Sequence, residues 1–278
     1  MLNPVNAVLM TGDAVTQLRK LEKDSVDMVM TSPPYDDLRE YNGYKFDLPY
    51  FRKMARALYR VIKPGGTLVW IVADATKRGS ETFTAMKQAL YFRESVGFLA
   101  HDTMIWHRCN HPLTKRRYEQ HWEYMFVFTK GVPKTFNGIR VPKLYPERRP
   151  RKKQFGRNAD NSIDYGTNNL ALTDKLDGNV WKINCQHGTR DPFASKHPAP
   201  FPEELAERHI HSWSNAGDVV LDPMCGSGTT GKMALKMGRK FIGIETSAEY
   251  MGLCEQRLAL AITQPAPVAG PTQPSAVI

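Results

Sequence analysis

The chain has 278 residues, of which 41% are apolar, and a formal net charge of +10. This length allows one large domain or two small ones with a buried core, and no run approaches the roughly 18 apolar residues of a membrane span. The start, MLNPVNAVLMTGD, lacks a charged segment followed by a long apolar one, so we expect no signal peptide. The scattered cysteines contain no CxxC pair, which disfavours a metal site or a disulfide framework and favours a reducing, cytoplasmic compartment.

Short apolar runs alternate with helical patterns over residues 1–131. Buried strands are predicted for AVLMTGD, SVDMVMTSPP, TLVWIVAD, DTMIWHR and EYMFVFTKG. Amphipathic helices are predicted for PYFRKMARALYRVIKPGG, which stops at KPGG, and for ETFTAMKQALYFRESVGF. Strands that alternate with helices predict an α/β fold, with a doubly wound, mostly parallel sheet covered on both faces.

Residues 132–195, named here the basic insert, differ in composition from their surroundings. Prolines, glycines and asparagines interrupt the segment, and RRPRKKQFGRN (148–158) is densely basic. We predict a loop-rich insert whose charge suits either a polyanion or only solvent. Helix and strand patterns return over 196–262, and the Pro- and Ala-rich residues 263–278 are expected to be a disordered tail.

A glycine-rich turn, VVLDPMCGSGTTGK (219–232), joins a predicted strand to a predicted helix. A triphosphate-binding loop is disfavoured because Met233 follows Lys232, where a magnesium-binding hydroxyl is needed. GSGTTG fits a dinucleotide fingerprint, and Glu245 follows at the expected distance, so the turn alone leaves dinucleotide binding open. A simple tight turn would explain the glycines, but it would not explain why Asp222 and Glu245 each end an apolar strand.

The two carboxylates indicate a different ligand. In open α/β sheets, ligands bind outside the carboxyl ends of the strands, where Asp222 and Glu245 are predicted to lie. Glu245 suits the hydroxyls of a ribose. Asp222 beside the glycine turn would repel a phosphate and would suit a cation, so the pattern favours a nucleoside with a positively charged appendage.

Five segments together resemble the S-adenosylmethionine (AdoMet)-dependent amino-group DNA methyltransferases, which modify cytosine N4 or adenine N6. They are TGDAVTQLRKL (11–21), TSPPY (31–35), KHPAPFPEEL (196–205), LDPMCGSGTT (221–230) and FIGIETSAEY (241–250). Met224 departs mildly from the family's usual Phe. The catalytic motif comes first and the AdoMet loop last, which resembles the family's beta arrangement. The resemblance implies a Rossmann-like class I methyltransferase fold, with target recognition in the basic insert.

The resemblance also implies three sets of site residues. The catalytic loop would be Ser32, Pro33, Pro34 and Tyr35, where a base flipped from the duplex is held. The cofactor site for AdoMet would be Asp13, Thr31, Phe201, Asp222, Pro223, Cys225, Gly226, Ser227, Gly228, Thr229, Glu245 and Thr246. DNA contacts would come from Lys115, Arg116, Arg117, Arg148, Arg149, Arg151, Lys152, Lys153 and Arg157.

The resemblance leaves the target base and some partners open. Ser32 in the first catalytic position favours cytosine N4, whereas adenine N6 remains an alternative. More distant alternatives are a catalytically silent DNA-binding module and methylation of RNA or of a protein amide. Double-stranded DNA is the expected partner, with no membrane, in a bacterial or phage-encoded protein. A second copy of the chain and a cognate restriction endonuclease are further possible partners.

Overall fold

The computed structural model describes residues 6–34, 46–108, 117–143, 153–157, 162–166, 173–184 and 200–263, with the backbone alone at 153–157, 163–166 and 262–263. The chain forms two compact units. The first comprises Met1–Asn137 and Asn179–Gly270, and the second comprises Gly138–Gly178 and Pro271–Ile278.

The strands and helices predicted from the sequence occur in the predicted order, among further short elements that were not predicted. The strands are β1 Ala7–Thr11, β2 Val26–Thr31, β3 Ile62–Val72, β4 Thr76–Lys77, β5 Ser80–Glu81, β6 Leu99–His107, β7 Trp122–Thr129, β8 Arg140–Pro142, β9 Lys153–Arg157, β10 Ile163–Gly166, β11 Asp174–Leu176, β12 Val180–Lys182, β13 Val219–Asp222 and β14 Lys240–Glu245. The helices are α1 Ala14–Lys20, α2 Leu48–Val61, α3 Thr84–Tyr91, α4 Glu203–Trp213, α5 Thr229–Lys236 and α6 Ala248–Thr263, and a π-helical turn, Phe92–Val96, continues α3.

The first unit is built on an eight-stranded sheet in the order β1-β14-β13-β2-β3-β7-β6-β12. Every neighbouring pair is parallel except those that β7 makes with β3 and β6. The predicted mostly parallel α/β sheet is therefore confirmed. The parallel strands also bring their carboxyl ends to one edge, which is where the sequence predicts the site.

Helices cover both faces of this sheet. On one face, buried residues of α1, α2 and α3 form a continuous cluster with Leu68, Trp70 and Phe126. Side chains alternate between faces along a strand, so Met125 points to the opposite face from Phe126. There, Nε2 of His209 in α4 lies 3.2 Å from Met125 Sδ, and α4, α5 and α6 pack in succession.

Local signals in the sequence explain where α2 begins and ends. Asp47 caps its first turn, because the Asp47 carboxylate accepts a hydrogen bond from Tyr50 N at 2.8 Å. The helix ends at Val61, just before KPGG, as predicted. The next strand already begins at Ile62 rather than at residue 67, so the KPGG segment belongs to β3, where the pairing register with β2 shifts.

The second unit contains two short antiparallel pairs, β8 with β11 and β9 with β10. Arg140 and Asp174 join β8 to β11 through an ion pair of 2.9 Å. This unit is narrower than the predicted basic insert of 132–195. Two parts of the chain inside the predicted bounds pack with the first unit, because Val180–Lys182 pairs with β6 in the central sheet, and Asn137 Nδ2 donates to the carbonyl of His211 in α4 at 3.0 Å. The bounds of a target-recognition insert stay a prediction.

Candidate active site and cofactor loop

The predicted catalytic and cofactor motifs meet at the carboxyl edge of the sheet. Leu221 of β13 pairs with Val29 of β2, so the two strands end side by side. At their ends, Thr31 Oγ1 donates a hydrogen bond to Asp222 Oδ1 at 2.8 Å, and both residues are buried. This contact ties the segment that carries Ser32 to the segment that carries the glycine loop.

Asp222 is a buried carboxylate surrounded by donors. Besides Thr31, Thr230 Oγ1 donates to Oδ2 at 2.7 Å and Met224 N donates to Oδ1 at 3.1 Å. Burial raises the pKa of Asp222 to about 6, and the charge of Glu245 adds to this effect, whereas the hydrogen bonds lower the pKa. The sequence predicted the carboxylate but not the partner hydroxyl of Thr230, which comes from the first turn of α5.

The glycine loop is packed too tightly to accept side chains at its turn. Gly228 has a φ of +80°, and a Cβ there would lie 2.5 Å from Cys254 Sγ. Gly228 N donates to the carbonyl of Cys225 at 2.7 Å. A hydrogen bond between the thiols of Cys225 and Cys254, together with burial, raises the Cys225 pKa well above its ordinary value. Both effects favour the neutral thiol of Cys225, and its predicted contact with the cofactor stays a prediction.

Glu245 fixes the loop by accepting two backbone hydrogen bonds. Gly226 N donates to Oε2 and Ser247 N donates to Oε1, each at 2.9 Å. Each carboxylate oxygen keeps further acceptor capacity, which a pair of ribose hydroxyls can use. Thr246 is half-buried between Glu245 and Ser247, at the end of β14.

Arg257 is a functional candidate that the sequence analysis missed. It is fully buried in α6. Its Nη1 donates to Thr229 Oγ1 at 2.7 Å and to the carbonyl of Ser227 at 3.2 Å, and its Nη2 donates to Glu203 Oε1 at 2.9 Å. Lys232 Nζ also donates to Glu203 Oε1, at 2.7 Å. Ser227 and Thr229, predicted as cofactor residues, therefore both contact an arginine of the protein.

Asp13, which is predicted to lie near the cofactor, also has a structural role. It caps α1 by accepting from Thr16 N at 2.8 Å, and Tyr50 Oη donates to its other oxygen at 2.6 Å. Burial acts to raise the pKa of Asp13, but the hydrogen bonds from Tyr50 and Thr16 outweigh it, so the pKa is lowered overall. Asp13 is therefore held ionised beside Thr11, which pairs with Glu245 across β1 and β14.

The remaining residues of the two predicted loops are only partly described. Ser32 and Pro34 are half-buried and Pro33 is buried, directly after β2. Tyr35 lies outside the described residues. Phe201 is half-buried just before α4, and Pro223 is buried between Asp222 and the glycine loop.

Most of the predicted DNA contacts also lie outside the described residues, namely Lys115, Arg116, Arg148, Arg149, Arg151 and Lys152. Lys153 and Arg157 lie on β9, where the backbone alone is described. The Arg117 guanidinium donates to Thr76 Oγ1 and to the Gly79 carbonyl, both at 2.8 Å. Arg117 thus braces the hairpin formed by β4 and β5, and its predicted contact with DNA stays a prediction.

Among the residues that the structure describes, no group of three or more His, Cys, Asp or Glu side chains could hold a metal ion. None of the helices in the described part of the chain is both long enough and apolar enough to cross a membrane.

The fold and site define a class I methyltransferase: a mostly parallel sheet with one reversed strand, and an acidic glycine loop at its carboxyl edge. A sequence model of the N6/N4 DNA methylase family matches residues 26–256. The chain is 47% identical over 239 residues to the orphan methyltransferase M.BamHII of Bacillus amyloliquefaciens, covering 84% of this chain and 89% of that protein. The chain belongs to this DNA methylase family, whose members methylate exocyclic amines of DNA bases.

Two further comparisons agree with this assignment. The chain is 29% identical over 266 residues to the DNA adenine methyltransferase YhdJ of Escherichia coli, covering 90% of this chain and 82% of that protein. The solved structure of a DNA modification methylase from Thermus thermophilus, in complex with AdoMet, matches with a TM-score of 0.61 and 29% identity. That match covers 93% of this chain and 96% of the other.

Proposed function

We propose that this DNA methyltransferase transfers a methyl group from AdoMet to the N4 amine of a cytosine at a specific site in double-stranded DNA. The observation that carries the proposal is the hydrogen bond between Thr31 and Asp222, 2.8 Å long. It holds the SPP segment against the glycine loop, so a base held by the first and a methyl donor held by the second would be neighbours. Such proximity supplies much of the rate in a two-substrate transfer.

The residues of the glycine loop fit AdoMet. AdoMet carries a sulfonium and an ammonium, and the buried Asp222 carboxylate is a better partner for a cation than for a phosphate. Gly226 and Gly228 have positive φ angles, which let the loop turn tightly at the end of β13, where its backbone would meet a ligand. Glu245 keeps acceptor capacity for ribose hydroxyls. We propose that the predicted cofactor residues on these strands act through such contacts.

The residues after β2 would prepare the target amine. AdoMet supplies the activated methyl group. The Ser32 hydroxyl and the Pro33 carbonyl accept hydrogen bonds from the two amine protons, and this draws the nitrogen lone pair out of conjugation with the base ring. The adjacent prolines restrict the backbone, so the Pro33 carbonyl keeps one direction. Tyr35 stacks on the flipped base and replaces the stacking lost from the duplex.

The choice of base rests on Ser32. A serine in the first catalytic position is typical of the cytosine-N4 members of this family, which favours cytosine. Adenine N6 is the second candidate, because the relative YhdJ is named as an adenine enzyme. Both bases present an exocyclic amine conjugated to a ring nitrogen, so the same pair of acceptors serves either.

Transfer of a tritiated methyl group from AdoMet to unmethylated duplex DNA, followed by nucleoside digestion and mass spectrometry, tests the proposal. We expect labelled N4-methylcytosine from the wild-type protein and none from Ser32→Ala. The Ser32→Ala protein should still bind AdoMet in calorimetry, since its cofactor residues are unchanged. Labelled N6-methyladenine instead would select the second candidate. AdoMet binding without label in any duplex would refute DNA methylation and redirect the search to RNA or protein acceptors.

A further inference from the structure

Arg257 is an unusual residue to find in the interior of the first unit. Arginine is almost never fully buried unless it is paired, and Arg257 has no exposed surface. Removing such a charge from water is costly, and replacing both partners of a buried ion pair by apolar residues of similar volume often leaves a protein equally stable. Stability alone therefore gives a weak reason for an arginine at this position.

The contacts of Arg257 converge on the glycine loop. One guanidinium nitrogen, Nη1, reaches the Ser227 carbonyl at 3.2 Å and Thr229 Oγ1 at 2.7 Å, on both sides of Gly228. Gly228 is the left-handed residue on which the loop turns into α5. The planar fork of a guanidinium fixes the directions of its donors, so Arg257 determines where this turn lies relative to α6.

Glu203 holds the other end of the guanidinium. Its Oε1 accepts from Arg257 Nη2 at 2.9 Å and from Lys232 Nζ at 2.7 Å. Glu203 is the first residue of α4, next to the Pro202 cap, and its side chain is only 16% exposed. Negative charge is also favourable at this end of a helix. The Glu203 carboxylate therefore joins α4 to a cation of α5, Lys232, and to a cation of α6, Arg257.

These contacts connect two of the motifs, which lie apart in the sequence. KHPAPFPEEL supplies Glu203 and the predicted cofactor residue Phe201, and the glycine loop supplies Ser227 and Thr229. The Arg257 guanidinium bridges them from α6. A loop that uses positive φ angles gains no rigidity from side chains at its glycines, so an external brace has a clear function.

We infer that Arg257, paired with Glu203, is a positioning residue that sets the shape of the AdoMet loop. The inference rests on the proposed cofactor placement. Arg257 does not touch AdoMet, because it lies beneath the loop with no exposed surface. It acts by holding the Ser227 carbonyl and the Thr229 hydroxyl, and thereby the backbone on either side of Gly228. AdoMet affinity, rather than the chemical step or DNA affinity, is therefore the property that Arg257 controls.

The test compares Arg257→Met, Arg257→Lys and Glu203→Gln with the wild-type protein. Loss of hydrogen bonds from a charged donor should raise the Kd and KM for AdoMet roughly 10- to 100-fold in Arg257→Met. We expect kcat at saturating AdoMet and KM for DNA to stay within about threefold of wild type, which is under 1 kcal/mol. Arg257→Lys keeps the charge but not the fork, so its Kd should be intermediate.

Arg239→Met is the matched control. Arg239 also holds backbone carbonyls, since it donates to Met237 O at 2.6 Å and to Ser214 O at 2.7 Å, but it lies at the other end of α5. The Arg239→Met substitution should lower the melting temperature and leave the Kd for AdoMet unchanged. A rise in Kd only with the Arg257 and Glu203 variants supports the inference, because general destabilisation would affect both sites alike.

The outcomes separate this inference from the proposed function. If the wild-type protein binds no AdoMet, the cofactor placement fails and the inference fails with it. If wild type binds AdoMet and folded Arg257→Met binds it equally well, the inference alone is overturned. If Arg257→Met does not fold, Arg257→Lys and Glu203→Gln decide, and wild-type Kd values in both would overturn the positioning role.

Discussion

Replacing Asp222 with Asn should stabilise the cofactor-free protein above pH 6 and weaken its binding of AdoMet. The carboxylate is buried among Thr31, Thr230 and the Met224 amide, and asparagine has the same shape. Its Oδ1 can accept from Thr31 and Met224, and the rotatable Thr230 hydroxyl can accept from its Nδ2. The substitution therefore removes the buried charge and leaves the local packing in place.

The magnitude follows from the pKa of Asp222, which burial raises from 3.8 to about 6. Because the pKa is raised on folding, the folded protein binds this proton more tightly than the unfolded chain does. The ionised Asp222 carboxylate therefore lowers the free energy of unfolding. This effect is absent below about pH 4 and complete above about pH 6. A difference of about two units corresponds to roughly 3 kcal/mol, or about 6–12 °C in melting temperature for a domain of this size.

Urea unfolding of both proteins without AdoMet, from pH 4 to pH 8, measures this effect. The free energy of unfolding of Asp222→Asn relative to wild type should rise by up to about 3 kcal/mol between pH 4 and pH 7. Other titrating groups are shared and cancel in the difference. A difference between the two proteins that does not change with pH would refute the buried-charge argument.

Asp222→Asn should weaken AdoMet binding, although it stabilises the cofactor-free protein. The ionised Asp222 is the proposed partner for the cation, so calorimetry should show weaker binding by Asp222→Asn at pH 8. Wild-type affinity should also fall as the pH drops through about 6, since protonation of Asp222 removes the same charge. An Asp222→Asn protein with wild-type affinity at pH 8 would remove Asp222 from the cofactor site.

Three further predictions concern packing, capping and DNA. Gly228→Ala should destabilise the protein more than Gly131→Ala, because both have φ near +80° but only the Gly228 Cβ would meet Cys254 Sγ, at 2.5 Å; equal losses in melting temperature would contradict this. Tyr50→Phe should cost about 1–2 kcal/mol in urea unfolding through loss of its hydrogen bond to Asp13, and wild-type stability would argue against that contact. The third prediction replaces five basic residues with alanine: Arg148, Arg149, Arg151, Lys152 and Lys153. DNA binding should weaken and depend less steeply on salt concentration. An unchanged salt slope would exclude this segment as the DNA-binding surface.

The central sheet could be predicted because most of its strands are short apolar runs that end in polar turns. β2 and β13 are of this kind, and both stop where the sequence changes from apolar residues to Thr31 and Asp222. β12 could not be predicted. Only Trp181 is buried in this short strand, and its place in the sheet depends on pairing with β6, far away in the chain. Pairing of this kind is set by tertiary packing rather than by local propensity.

The site shows the same division between local and tertiary information. Asp222 and Glu245 could be predicted because each ends a strand, and strand ends gather at one edge of a parallel sheet. Their partners Thr230 and Ser247 could not be assigned roles, because a hydroxyl or an amide gains its role from the direction in which a turn points it. Arg117 shows the converse, since a basic residue predicted to meet DNA braces a hairpin of its own chain.

Arg257 nevertheless left a signal in the sequence. It lies three residues after Cys254 and four residues before Ala261, both of which are buried on one stripe of α6. A charged residue within an apolar stripe needs a partner in the interior, because an unpaired buried charge is strongly destabilising. The partner had to be a carboxylate from another segment, and Glu203 begins the helix that follows the PFP turn. The arginine in the apolar stripe of α6 thus indicates a buried ion pair, and the structure shows that this pair joins α6 to α4 beside the glycine loop.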